Sequence, residues 1–373
     1  MTRLTGPAAS TAGHPLLLAG LALALAGGLW LALGLLSLPG SDSWGYDLEA
    51  YLAAARRLAE GGSLYQPETL SGPFRPGPYG LYLYAPPLGI AVTPLVPLAP
   101  EVSSGLWYAA HVVALLAACA LMPVRWSVRL VGFAVGAFSY AVTRDLALGN
   151  VSVLLLPPVA AAWRWLDRPL GQIAQAVAIS VRPTLGLLLL WQLLRRQWRA
   201  VAWTIAAGLA LVVMSLPFVG ISGYLDYLSV LRNMNEVSGV TFNRDLGSVA
   251  LELGADQRGA TVALLGGYAI AGGAVLLSLR RDREIGFMVT LMASLLLSPL
   301  LWDHYLSMLL VPAVFLAGRG HRWALLLPLA SWLPAIATGW TWLYPAVVIV
   351  AMLLPFMAPE ARPREDGAVA PAA

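Results

Sequence analysis

The chain has 373 residues, 59% of them hydrophobic and 11% charged, with a formal net charge of +4 in which every basic residue is arginine. A soluble domain carries about one-quarter charged residues, so this composition excludes an ordinary soluble enzyme. The arginines are dispersed over short loops without a basic stripe, which argues against a nucleic-acid partner. The single cysteine, Cys119, excludes internal disulfides and a cysteine-based metal cluster.

Apolar runs of about twenty residues recur along the whole length and predict an all-α, polytopic membrane protein built as one integral membrane domain. The first run, 15–37, is too long for a signal-peptide core and no A-x-A site follows it, so it reads as the first span. The first outer loop, 38–80, holds SDSWGYDLEAYLAAARRLAEGG, Ser41 to Gly62. Ser43 can cap a helix here, with Asp47 in its opening turns. Leu48, Leu52, Ala55 and Leu58 with Ala59 form an apolar face, Arg56, Arg57 and Glu60 lie elsewhere, and Gly61-Gly62 ends the helix. That pattern suits a helix of about four turns lying at the membrane surface. On pattern alone Asp47 also fits a residue that merely complements the helix dipole.

Further spans are expected at 81–98, 104–122, 128–143, 150–165, 169–194, 199–218, 258–278, 285–300, 303–318, 322–338 and 342–357. With the first run these make about 12 spans, with an outer loop at 219–257 and a cytoplasmic tail at 358–373. Arginine-rich turns at Arg195/Arg196/Arg199, Arg280/Arg281/Arg283 and Arg319/Arg322, and the tail with Arg362 and Arg364, read as cytoplasmic. The first loop, 219–257 and Ser298–Tyr305 then face outward. Arg125/Arg129 and Arg164/Arg168 look equally cytoplasmic, yet strict alternation of full spans puts them outside. A segment between 81 and 194 that dips in and returns would remove the conflict, and Arg182-Pro183 marks one such break.

Ionisable groups at membrane depth are costly and point to function. In SPLLWDHY (Ser298–Tyr305), Trp302, Asp303 and His304 sit between two apolar runs; His304 can act as a base or bind phosphate, or the cluster can be an interfacial anchor. Arg182 in SVRPT suits a phosphate at a helix break, or a snorkelling side chain beside a kink. In TRDLALGNVS (Thr143–Ser152), Arg144 and Asp145 can pair at a loop, and Asn150-Val151-Ser152 matches a glycosylation acceptor by chance. His111, alone in mid-span, reads as a satisfied core histidine.

Taken in order, the acidic loop helix, GGSLYQP (Gly61–Pro67), YLYAPPLGIAVTPLVPLAP (Tyr82–Pro100), GNVSVLLLP (Gly149–Pro157), VRPTLGLLLLWQLLRRQWRA (Val181–Ala200) and LLLSPLLWDHYLSMLLVP (Leu295–Pro312) resemble glycosyltransferase family 87. These are polyprenyl-phosphate-mannose-dependent mannosyltransferases of the GT-C type. The resemblance implies a polyprenyl-phosphate sugar donor, a lipid or glycan acceptor, transfer at the outer face of the cell membrane, and no metal or other cofactor. It places Asp47 where these enzymes carry an essential aspartate, His304 on the late W-x-H turn, and Arg182 where lysine usually precedes proline. Gly149-Asn150-Val151-Ser152 departs from the usual G-Q-x-N.

The candidate catalytic pair is therefore Asp47 and His304, either of which can take the acceptor proton, with Asp47 favoured. Arg182, Arg56 and Arg144 are candidate donor-phosphate ligands, and Tyr51, Asn150, Trp302 and Asp303 candidate substrate contacts. The expected reaction is a single inverting displacement. A transporter or flippase of lipid-linked sugars, or an O-antigen ligase or polymerase-like enzyme, are the rival readings of the same spans.

Overall fold

The computed structural model describes residues 13–37, 44–71, 79–233, 243–337 and 339–359. Ser43, Arg362 and Arg364 lie outside these residues. The described residues are helical, without a strand.

Helix α1 (Gly13–Ser37) is apolar on all sides and leaves Leu18, Leu25, Leu29 and Leu36 more than 60% exposed. Such a surface is untenable in water and suits lipid. α2 (Tyr46–Ala59), the short α3 (Pro67–Ser71) and α4 (Pro86–Val92) follow in the first loop region. α5 (Pro100–Leu121) leads to α6 (Trp126–Phe138) and α7 (Tyr140–Leu148), which bend by 59° at Ser139. α1 packs along α6. The close approach is made by Gly27, where an added Cβ would lie 3.0 Å from Ala134 Cα, as small residues do at membrane-helix contacts.

α8 (Leu156–Arg164), α9 (Pro169–Val181) and α10 (Leu187–Leu194) come next, then the long α11 (Trp198–Asn233). α11 is two helices joined at Gly220 (φ 62°, ψ −175°), just after Pro217. α12 (Leu246–Glu252), α13 (Gln257–Ser278), α14 (Arg283–Leu296), α15 (Leu310–Gly318), α16 (Trp332–Ile336) and α17 (Leu343–Leu353) complete the chain. A 3₁₀ stretch, Asp303–Leu309, feeds α15.

Among the described residues four helices are long and apolar enough to cross a membrane, five if the bent α6–α7 pair counts as one span. The apolar segments fall where hydropathy puts them, but several are broken or short. Over 81–98 the helical part is the ten residues Pro86–Leu95, roughly 15 Å long against a hydrocarbon core of about 30 Å. The segment 169–194 folds back on itself at Arg182. Gln192 of α10 donates to Gln172 (2.7 Å) and Gln175 (3.1 Å) of α9, so the two helices run antiparallel with Arg182 at the tip. The expected outer loop 219–257 is helical as far as Asn233, which donates to the Thr69 and Leu70 carbonyls.

The arginine turns share one end of the bundle. Arg164 donates to the Leu121 carbonyl, Arg283 pairs with Asp167, and Trp163 donates to Glu284. Arg319 pairs with Asp282 and Glu284, Arg195 donates to the Ser278 and Arg281 carbonyls, and Arg281 to that of Phe356. Arg125 lines a cavity at this end with Trp163, Glu284 and Arg319, so the short α4 and the hairpin at Arg182 leave the Arg125 and Arg164 turns beside the other arginine turns.

Two apolar cores result. The larger gathers α5–α8, α14, α15 and α17; the smaller gathers α2, Leu64, Tyr65, Tyr82, Tyr84, and Tyr227 and Val230 of α11. Leu154 and Val181 pack against both. The polar residues of interest lie along this seam.

Candidate active site

The amphipathic stretch of the first loop forms α2 over Tyr46–Ala59, ending at Glu60 and Gly61 (φ 81°). Leu48, Tyr51, Leu52 and Ala55 are buried, and they pack against protein, chiefly α4 and α7. Gly45 (φ 71°) starts the helix without a side-chain cap, and its N–H donates to the Ala147 carbonyl of α7 at 2.9 Å. Asp47 therefore sits in the first turn, where α2 meets the end of α7. Gly80 lies against it: a Cβ there would be 2.7 Å from Asp47 Oδ1.

α7 ends in Gly149 (φ 67°), followed at once by Asn150. The Asn150 amide is oriented by what surrounds it. Its Oδ1 accepts from Val151 N (2.7 Å), Ser152 N (3.1 Å) and Ser152 Oγ (3.0 Å). That leaves Nδ2 to donate to Asp47 Oδ2 at 2.8 Å, with the hydroxyls of Tyr51 and Tyr84 each 3.2 Å away. Ser152 Oγ in turn accepts from Arg182 Nη2 at 2.7 Å. One continuous network links Asp47, Asn150, Ser152 and Arg182.

Arg182 is 4% exposed, and its guanidinium lies 3.6 Å from the ring centroid of Tyr305. Its Nη1 is buried without a hydrogen-bond partner. His304, 3% exposed, stacks edge-on to Tyr305 and near Trp302, and its Nε2 is also buried and unpartnered. A buried polar atom without a partner is costly, and around the Tyr305 ring two side chains, Arg182 and His304, each leave one nitrogen open. Arg144 and Asp145 of α7 and Arg182 all lie within electrostatic reach of His304.

Burial pushes the Asp47 carboxyl up to about 7; the Asn150 hydrogen bond and Arg144 oppose this, and the Asp145 charge adds to it. A carboxylate poised near neutrality is suited to accept a proton. Burial also holds the Tyr51 hydroxyl well above its ordinary range, so it stays protonated.

The structure thus brings together Asp47, Asn150, Arg182, His304, Trp302 and Arg144. Tyr51 is 1% exposed and supports Asn150 from the protein side. Asp303 lies beside the first group, approached by the hydroxyls of Tyr140 and Tyr344. Arg56 is elsewhere: it is exposed, nine residues along α2 from Asp47, hence about 13 Å away and on the opposite face. Arg57 donates to the Ser63 and Leu64 carbonyls and staples the end of the helix. Sequence reasoning missed Ser152 as the link to Arg182, and Tyr84 and Tyr305, which nothing distinguishes from the other aromatics of an apolar chain. Asn150 is 1% exposed, so its glycosylation-like pattern is fortuitous. Among the described residues no group of His, Cys, Asp or Glu is arranged to hold a metal.

The family model for glycosyltransferase family 87 matches residues 82–301, more than half of the chain. A relative from Mycolicibacterium smegmatis (strain ATCC 700084 / mc(2)155) is 28% identical, with 84% of this chain and 77% of that protein covered. One from Mycobacterium tuberculosis (strain CDC 1551 / Oshkosh) is 28% identical, with 84% and 74% covered. Both are named polyprenol-phosphate-mannose-dependent alpha-(1-2)-phosphatidylinositol pentamannoside mannosyltransferase. With its lipid-exposed apolar helices, the chain is a membrane glycosyltransferase and belongs to glycosyltransferase family 87.

Proposed function

We propose that the chain transfers mannose from a polyprenyl-phosphate-mannose donor to a hydroxyl of a lipid-anchored glycan, at the extracytoplasmic face of the cell membrane. The observation that carries this reading is a near-neutral carboxylate, Asp47, linked through Asn150 and Ser152 to Arg182, with Arg182 Nη1 and His304 Nε2 buried and without a partner in the protein. Asp47 takes the acceptor hydroxyl proton as that oxygen bonds to the sugar C1. The C1–O bond to phosphate breaks, and the electron pair leaves on the lipid phosphate. Arg182 and His304 donate to that developing anion, where fixed donors in a dry site are worth most. Displacement in one step inverts the anomeric centre, from a β-linked donor to an α-linked product. The names of the relatives support mannose as the sugar and a phosphatidylinositol-based glycolipid as the acceptor class. The outward face is supported by the arginine turns gathered at the opposite end of the bundle.

The test is purified protein in lipid with radiolabelled polyprenyl-phosphate mannose and a membrane glycolipid extract. Wild-type protein forms labelled glycolipid. Asp47→Asn lowers its rate by about 10²–10⁴, and Arg182→Ala by about 10²–10³, each in folded protein. Label crossing the bilayer without a new glycosidic bond would mean a flippase, and near-wild-type transfer by Asp47→Asn would remove Asp47 from the chemistry.

A further inference from the structure

His111 of α5 is fully buried, and both of its ring nitrogens face acceptors. Nδ1 lies 2.8 Å from the Trp107 carbonyl; Nε2 lies 2.5 Å from the Asn150 carbonyl and 3.5 Å from Asp145 Oδ2. A neutral imidazole carries one N–H and one lone pair. In this setting the lone pair would face a carbonyl lone pair in a buried site. Two protons satisfy the geometry, and the buried Asp145 carboxylate balances the charge. Asp145 itself accepts from Ser152 N (3.2 Å) and Val153 N (2.8 Å), and Trp107 Nε1 donates to the Gly149 carbonyl at 2.8 Å. The backbone on both sides of Asn150 is therefore tied to α5 and α7.

We propose that His111 is a buried imidazolium and, with Asp145, a positioning pair that aims the Asn150 amide at Asp47 and the Ser152 hydroxyl at Arg182. Neither residue touches the reacting atoms; both act through the Gly149–Val153 turn. The inference rests on the reading of Asp47 as the base. Asp47 is faced by Asp145 and Arg144 of α7, by Tyr46 and Tyr51 of its own helix, and by Tyr84 and Tyr305. Asn150 is its one side-chain hydrogen-bond donor among these contacts. A carboxylate that loses such a donor is harder to ionise.

Two measurements on the full chain in lipid nanodiscs test this. The sequence has four histidines, so ¹⁵N-histidine labelling with solid-state NMR resolves them, and the His14→Gln and His321→Gln variants assist assignment. Doubly protonated His111 at pH 8 is expected; a singly protonated ring overturns the proposal whatever the role of Asp47. The second measurement is kcat/KM against pH. Asn150→Ala moves the acid limb upward by about one pH unit, the loss of one charge-assisted hydrogen bond. His111→Gln moves it the same way, as does the charge-free pair His111→Gln with Asp145→Asn, and neither adds to Asn150→Ala. A uniform drop in rate with an unmoved limb would make the pair merely structural and end the proposal. If Asn150→Ala itself leaves the limb in place, it is the assignment of Asp47 as base that fails, and the NMR result still decides the charge on His111.

Discussion

Asp47 is held in a compromise between burial, which favours the acid, and Asn150 and Arg144, which favour the anion. The base form is the reactive one, so kcat/KM is expected to rise as pH increases through about 7 and to level off above it. The same carboxyl weighs on stability. Unfolded, it titrates near about 4; folded, near 7. Between these values the folded chain keeps a proton that the unfolded chain has released, so Asp47 lowers stability progressively from pH 4 to pH 7, and the full cost is present above pH 7. Asp47→Asn removes the charge. Its thermal midpoint in detergent is expected to exceed that of wild type at pH 8 and to match it at pH 4. A lower midpoint at pH 8 would mean that the anion is a stabilising partner in the fold. Asp47, Arg182 and His304 stood out in the sequence as charges beside lipid that demand a reason, and the resemblance to glycosyltransferase family 87 is what raised Asp47 above a partner of the helix dipole. Asn150 as the residue that addresses Asp47 was not legible there, because which way an amide points is set by the backbone N–H groups around it. His111 was read as an inert core histidine; the two carbonyls on its ring nitrogens come from its own helix and from a turn 39 residues away, and spacing carries no trace of the latter.

At the scale of elements, the site depends on how closely α2 and α7 approach. Gly149 makes this possible twice over. Its φ of 67° turns the chain from α7 into the Asn150 loop, and its missing side chain leaves room for Leu48, whose Cβ would lie 2.7 Å from a Cβ at 149. Gly149→Ala is expected to cost about 1–2 kcal/mol from the left-handed backbone alone, and to displace α2 and reduce transfer at least tenfold. Gly61→Ala separates the two effects. It has a similar φ of 81° but open space around it, so it should share the loss of stability and keep its activity. Equal activity in the two variants would show that the approach of α2 to α7 does not matter to the site. Apolar periodicity and Gly61-Gly62 located α2 and its end from sequence alone, while its start, expected after a Ser43 cap, falls at Tyr46 behind Gly45. Its burial against α4 was not predictable, since an amphipathic face fits lipid and protein equally well. The hairpin of α9 and α10 was foreshadowed by Arg182-Pro183; the Gln172–Gln175–Gln192 cluster that closes it is glutamine in an apolar run, informative only once the two helices are known to be antiparallel.

For the whole molecule, the decisive question is which turns share a face. Counting hydrophobic segments as full spans puts Arg168 on the opposite side from Arg199. Contacts between turns put them together: Arg283 pairs with Asp167, while Arg195 reaches the Arg281 carbonyl across the next turn. The difference lies in length, because Pro86–Leu95 is too short to cross and 169–194 returns at its tip. The chain has one cysteine, Cys119, and it is buried, so Cys119→Ala gives a background for site-directed labelling. Arg168→Cys, Arg199→Cys and Gln257→Cys each place a thiol at an exposed position. In intact cells, a membrane-impermeant maleimide is expected to label Gln257→Cys alone, and to label Arg168→Cys and Arg199→Cys only after the membrane is opened. Labelling of Arg168→Cys with Gln257→Cys would restore strict alternation and break the hairpin topology. Labelling of Arg168→Cys and Arg199→Cys without Gln257→Cys would keep the topology and invert the protein, putting Asp47, Arg182 and His304 on the cytoplasmic side.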